Sequence, residues 1–259
     1  MKSKLSVIAI LLSLVCFLSS CARGEERPAL STAADTEEEQ TRSPALLTEG
    51  EDRGQGYLDG FIFFGESTTY HLKNRGVLRG GRDTLQVWGP DSGTVNLSPA
   101  IASQKIRYPD TGELLTVAEA AARKKPDYLV LTFGLNGAVQ NVRRGKDYYQ
   151  SCYRLLLEAI RDASPDTRLL LQSCFPVAKN MDVTNYSVTA RQLNELIDTL
   201  NGWVLELAEE EGIPYLNTAE ALKDEEGWLR DELQSGDGHH LTRDAYLEIL
   251  HYIRTHGYP

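Results

Sequence analysis

The sequence predicts an α/β protein, a three-layer α/β/α sandwich built on a doubly wound parallel sheet. Three observations predict it. Phe61-Ile62-Phe63-Phe64 and Tyr128-Leu129-Val130-Leu131-Thr132-Phe133 are apolar runs without alternation, the mark of strands buried on both faces. Each run ends in a glycine, Gly65 and Gly134, and is followed by residues able to form a helix. Strand and helix signals then alternate to the end of the chain, which favours parallel strands joined by crossover helices.

In order, the first strand runs through Phe64 into Gly65, and a helix follows over Thr68–Lys73, a stretch free of Gly and Pro. Asn74 to Gly93 is glycine-rich and contains Thr84-Leu85-Gln86-Val87-Trp88, a candidate second strand. A short strand is expected at Lys105–Tyr108, and Pro109-Asp110-Thr111-Gly112 is a turn signal. Thr116 followed by Glu119 is a capping-box pattern that starts a helix reaching Lys125. After the Tyr128–Phe133 strand comes Gly134-Leu135-Asn136-Gly137, read with the residues up to 146 as a loop. Tyr149, Tyr153, Leu156 and Ile160 recur at helical spacing and place an amphipathic helix over Lys146–Ala163. Arg168 to Ser173 is the next strand, and a loop through Phe175 reaches about Tyr186. Leu193, Ile197, Leu200, Val204 and Leu207 mark a long helix stopped by Gly212. A short strand at Ile213–Leu216, a helical piece at Ala219–Lys223, a loop over Asp231–Leu241 and a last helix over Thr242–Thr255 complete the chain.

The ends set the domain organisation. Lys2 and Lys4 precede a mostly apolar run from Leu5 to Leu18 that is short for a bilayer span, as in a secretory leader. It closes on Leu18-Ser19-Ser20-Cys21, which resembles the bacterial lipobox. That resemblance implies cleavage after residue 20, lipidation of Cys21 and a membrane anchor without a spanning helix; a plain signal peptide is the alternative. Ala22 to Gly56 carries nine acidic residues against four arginines and no apolar periodicity, the composition of a flexible tether. The expected organisation is therefore a leader over 1–20, a lipidated tether over 21–56 and one folded domain over 57–259. Net charge is −10, and without a basic stripe a nucleic-acid partner is excluded. Beyond Cys16 and Cys21, Cys152 and Cys174 remain; a disulfide between them and two separate buried thiols both fit.

In a doubly wound sheet, ligands bind at the carboxyl ends of the strands. Ser67, Gly134-Leu135-Asn136 and the Phe175 loop all follow strands and so gather at that edge. Ser67 stands at the start of a helix, where free N–H groups favour developing negative charge. It reads as a nucleophile or as no more than an N-cap. Asp237-Gly238-His239-His240 opens the last helix; Asp and His three apart can join carboxylate to imidazole, and a histidine so held can take a proton from a serine. Thr69 stands where the G-x-S-x-G elbow needs glycine, which argues against an α/β-hydrolase.

Gly65-Glu66-Ser67, Gly134-Leu135-Asn136 and Asp237-Gly238-His239-His240 together resemble three blocks of the SGNH (GDSL-like) hydrolases, in the family's order, over about Asp59 to His256. The resemblance implies a flavodoxin-like sheet and acyl transfer through Ser67 as nucleophile, His240 as general base and Asp237 as its orienting partner. It makes the Ser67 amide and the Asn136 side chain the oxyanion donors, with no cofactor and no metal. Three departures stand out. Glu66 occupies the place of the usual Asp, a change expected to affect turn support more than chemistry. Gly137 stands where Asp often follows the Asn. The second oxyanion glycine has no clear match, with Gly80, Gly81, Gly89 and Gly93 all candidates.

The function this implies is an extracytoplasmic, lipid-anchored serine esterase acting on small acyl esters, plausibly O-acetyl groups of an acylated glycan. An acyltransferase acting on envelope polysaccharide and a non-catalytic binding lipoprotein are the alternatives. Other residues have plainer readings. His239 is the rival of His240 as base, and His71, one turn past Ser67, reads as a surface or core histidine. Asp237, His239 and His240 could ligate a metal, but no further ligand cluster supports one. Arg143 and Arg144 read as solvated, and Tyr70, Trp88 and Phe175 as packing rather than a sugar platform.

Overall fold

The computed structural model describes residues 42–259. The leader, Cys21 and the acidic segment up to residue 41 lie outside the described residues. The strands are β1 (Phe61–Gly65), β2 (Val87–Trp88), β3 (Lys105–Arg107), β4 (Leu114–Thr116), β5 (Tyr128–Thr132), β6 (Arg168–Gln172) and β7 (Tyr215–Leu216). The helices are α1 (Gly54–Leu58), α2 (Ser67–Asn74), α3 (Val117–Lys124), α4 (Ala138–Arg144), α5 (Lys146–Ala163), α6 (Ala190–Glu211) and α7 (Arg243–Thr255).

Five strands form one parallel sheet in the order β2-β1-β5-β6-β7, the doubly wound order expected for a flavodoxin-like sheet. Strands β3 and β4 pair separately as an antiparallel ribbon. The register aligns Gly65 with Thr132 and Thr132 with Gln172, so β1, β5 and β6 end level. The strand order reverses between β1 and β5, and a crevice for ligand opens at such a switch point.

The unbroken apolar runs are explained by the two cores. Ile62, Phe64, Leu129 and Leu131 face one side, with Tyr153 and Leu156 of α5 and Ile197 and Leu200 of α6. Phe61, Phe63, Val130 and Leu170 face the other, with Leu72 of α2 and Tyr246, Ile249 and Ile253 of α7. Successive strand residues point to opposite faces, so both must be apolar. Burying a side chain of this size contributes about 1.5–3 kcal/mol.

The capping box at Thr116 and Glu119 is formed, and Gly212 closes α6 in the left-handed conformation at φ 61°. A second capping box, Thr189 with Gln192, starts α6. The structure differs from the sequence reading at three places. Only Val87 and Trp88 of the Thr84–Trp88 run form the strand; Gln86 just before them turns its side-chain amide to the carbonyl oxygens of Leu58 and Phe61. The stretch 137–146 is not a plain loop but contains α4, entered through Gly137 at φ 73°. The packed body begins before residue 57. Leu47 is buried, and its amide donates to the Tyr215 carbonyl beside β7, so residues 43–56 dock on the domain instead of continuing a tether. Of the two readings of Cys152 and Cys174, the structure has two separate buried thiols.

Candidate active site

Ser67 is the first residue of α2, and Glu66 takes the N-cap place with extended backbone and no side-chain cap bond. Ser67 is therefore not the cap, and its hydroxyl is left for other work. The turn is tight because Gly65 has no side chain: a Cβ there would run into the Thr132 carbonyl oxygen and the Thr69 hydroxyl.

The Asp237–His240 loop is held from several sides. The Gly238 carbonyl accepts the Ala178 amide at 2.8 Å. Gly238 sits at φ 81°, and a Cβ on it would lie 2.5 Å from the Met181 Cα, so this position needs glycine on both counts. Arg75, the C-cap of α2, donates from Nε to the Leu241 carbonyl at 3.0 Å, tying the helix of Ser67 to the chain just past His240.

Within that loop Asp237 Oδ1 accepts the backbone amides of His239 at 3.1 Å and His240 at 2.9 Å. Its Oδ2 lies 2.6 Å from His240 Nδ1. On the far side of the ring His240 Nε2 lies 3.3 Å from Ser67 Oγ. Burial works against the Asp237 charge, but the bonds from the His240 ring and from both amides hold its carboxyl well below the usual carboxylate range. An ionised Asp237 fixes His240 with its proton on Nδ1, so that Nε2 faces the serine as an acceptor. His239 Nδ1 is 3.5 Å from Asp237 Oδ1, and no bond joins it to Ser67 among the described hydrogen bonds. Of the two histidines, His240 makes the line.

Glu66 is buried, and its carboxylate accepts three backbone amides, those of Gly134, Leu135 and Asn136, each at 3.0 Å. It thus joins the end of β1 to the turn after β5 and sets the height of Asn136 relative to Ser67. The expectation that Glu66 serves turn support is met here in a specific form. Burial pushes its carboxyl up to about 7, against the three amide bonds that favour the charge. Gly134 makes room for Cys174, since a Cβ on Gly134 would stand 2.6 Å from the Cys174 Cβ.

The Asn136 side chain gives its amide hydrogens to Thr94 Oγ1 at 2.9 Å and the Val95 carbonyl at 3.1 Å. For Asn136 to serve an oxyanion, one of these neutral acceptors is exchanged for a charged one, a stronger partner. Of the candidate glycines, Gly80 and Gly81 lie in the turn before β2, at the opposite end of the sheet from Ser67. The Gly93 amide is spent on the Pro90 carbonyl at 2.9 Å. Gly89 directly follows β2, at the edge where Ser67 follows β1.

The other residues singled out from the sequence divide clearly. Trp88 and Phe175 are buried packing residues. Tyr70 is half-buried against Gly89 and Gly93 and lines a cavity of about 300 Å³ with Lys73, Asp91 and Arg107. Arg143 and Arg144 are exposed at the end of α4. Among the described residues, Asp237, His239 and His240 bring metal-ligating atoms within 4.8 Å of one another, but the Asp237–His240 bond already commits two of the three. One contact had no sequence signal strong enough to name it: the His71 ring stacks on the His240 ring, centroids 4.4 Å apart at 25°.

A model of the GDSL-like lipase/acylhydrolase family matches residues 63–247, a span that holds Ser67, Asn136, Asp237 and His240. No curated protein matches the sequence. Among solved structures, a Streptococcus pneumonia protein provisionally described as a platelet activating factor is similar, with 18% identity and a TM-score of 0.52 over 75% of this chain and 82% of that one. A protein from Slackia heliotrinireducens provisionally described as an SGNH hydrolase matches with 15% identity and a TM-score of 0.50 over 76% and 98%. At these identities the likeness establishes the fold.

Proposed function

Because the chain belongs to the GDSL-like lipase/acylhydrolase family, we propose that it is a serine esterase that hydrolyses small acyl esters, working outside the cytoplasmic membrane on O-acetyl groups of a carbohydrate. The observation that carries the catalytic part is the continuous line Asp237 Oδ2, His240 Nδ1, His240 Nε2, Ser67 Oγ, with gaps of 2.6 and 3.3 Å.

In this mechanism Ser67 Oγ attacks the ester carbonyl carbon while its proton passes to His240 Nε2. The imidazolium that forms is supported by the Asp237 carboxylate. The carbonyl oxygen becomes an oxyanion held by the Ser67 backbone amide and by Asn136 once its side chain turns from Thr94. Collapse expels the alcohol, which takes the proton from His240, and leaves an acyl-serine. Water activated by His240 then releases the acid and restores Ser67. Side chains together with the Ser67 amide supply nucleophile, base and oxyanion donors, so no step calls on a cofactor.

The location and the glycan rest on the leader and the lipobox-like Leu18-Ser19-Ser20-Cys21. A lipid anchor would bring the enzyme to envelope or nutrient polymers. The soluble domain from residue 42 is assayed with p-nitrophenyl acetate and longer esters beside Ser67→Ala and His240→Ala. The proposal expects release of nitrophenol by the wild type and near-complete loss in both variants; an inert wild type, or an active Ser67→Ala, contradicts it. Acetylated xylan as substrate with a sugar acceptor tests the glycan part: free acetate exceeding acylated acceptor supports hydrolysis over transfer.

A further inference from the structure

We propose that His71 is a positioning residue: with Ser67 on the same side of α2, it forms the surface against which the His240 ring is held flat toward the serine. The inference rests on the reading of His240 as general base. Residues four apart on a helix lie one above the other, and here Ser67 and His71 both meet His240, Ser67 at the ring edge and His71 on the ring face. His240 also meets His239, centroids 4.0 Å apart at 41°. Of these two imidazole contacts, the His71 contact at 25° comes nearer a parallel stack.

Two further observations separate this role from plain packing. Among the described residues, the buried His71 Nδ1 has no hydrogen-bond partner, although leaving such an atom unpaired is unfavourable. An apolar ring would pack there without that cost, and what the histidine presents to His240 is its ring face. His71 is also held neutral. Burial first, then the neighbouring His240 and Arg75, drive its pKa down to about 4, against the opposing pull of Asp237. A neutral aromatic face accepts a cation laid on it, whereas a charged one repels it. The charged and titratable groups around His71 are Arg75 at the C-cap of its helix and Asp237, His239 and His240 from the loop. His240 becomes that cation each time it takes the serine proton.

The test compares His71→Leu, which fills the space without an aromatic face, with His71→Phe, which keeps a flat neutral ring, both checked for folding by circular dichroism. His71→Leu is expected to lower kcat on a nitrophenyl ester about 10-fold with KM within about 2-fold, a loss of about 1.4 kcal/mol at the barrier. His71→Phe is expected to recover to within about 3-fold of wild type, a gap of about 0.65 kcal/mol on the same scale. Equal activity of all three, or a loss in His71→Phe as large as in His71→Leu, overturns the proposal. NMR of the His240 ring protons gives a second readout that needs no turnover. A single sharp set in wild type and His71→Phe that broadens or splits in His71→Leu supports positioning; identical spectra in all three overturn it. An inert wild type would defeat the esterase reading while leaving this second readout to decide the role of His71.

Discussion

Replacing Glu66 by Gln tests the most unusual electrostatic feature of the protein, a buried carboxylate that holds the turn of Asn136. In the folded chain this carboxyl titrates near 7, raised from an ordinary 4.5 by burial. Between those values the folded state keeps a proton that the unfolded chain has released. The stability due to this group is therefore greatest below pH 4.5 and is lost as pH rises through 7, the reverse of a salt-bridged carboxylate. Integrating the two titrations from pH 5 to pH 8 gives a loss of about 2.5 kcal/mol. Gln cannot ionise and removes that slope. It also sets its own NH₂ against one of the three amides, leaving buried donors unpaired at a cost of about 1–3 kcal/mol at every pH. Denaturant unfolding of both proteins at pH 5 and pH 8 separates the two effects. The variant is expected to be the less stable at pH 5 and to gain about 2.5 kcal/mol relative to wild type by pH 8. A difference that does not change with pH would refute the raised titration. Amide bonds that outweighed burial would keep the carboxyl ionised across this range and give that same flat result.

Other outcomes follow from the same geometry. Ser67→Ala and His240→Ala each lower kcat/KM by roughly 10³ or more, and because the two act as a unit the double variant is no worse than either single one. His239→Ala stays within about 3-fold of wild type, since the ring that reaches Ser67 belongs to His240; a loss approaching that of His240→Ala, about 10³-fold, would reassign the base. Gly238→Ala forces a Cβ onto the Met181 backbone and a left-handed φ onto alanine. It is expected to cost about 1–3 kcal/mol by unfolding and to lower kcat by displacing Asp237 from His240. Asn136→Ala lowers kcat by about 10²-fold with little change in KM, as expected for a donor used in the transition state; unchanged turnover would mean that the Asn136 amide never leaves Thr94 and Val95.

Much of the fold could be read because its strands are buried on both faces. Phe61–Phe64 and Tyr128–Phe133 show no alternation for that reason, and the order of strand and helix signals then leads to the parallel sheet. The line of Asp237, His240 and Ser67 was legible because its parts lie in short local patterns at strand ends. The parts that escaped depend on contacts distant in sequence. Nothing local in Thr84-Leu85-Gln86 shows that Gln86 spends its amide on Leu58 and Phe61. Ala45-Leu46-Leu47 reads as part of an acidic segment until β7 offers an edge for it. Glu66 looked like a variant turn residue because its three amide partners are about 70 positions away. His71 carried a faint signal, four residues past the serine, but its partner lies at the other end of the chain.

The measurement that tests the central claim most directly is covalent labelling of the domain with a fluorophosphonate, read by intact-protein and peptide mass spectrometry. A single adduct on Ser67, absent in Ser67→Ala and formed at least about 100-fold more slowly in His240→Ala, is the expected result. An adduct on another residue, or labelling of His240→Ala at the wild-type rate, would contradict the assignment of Ser67 as nucleophile and His240 as its base.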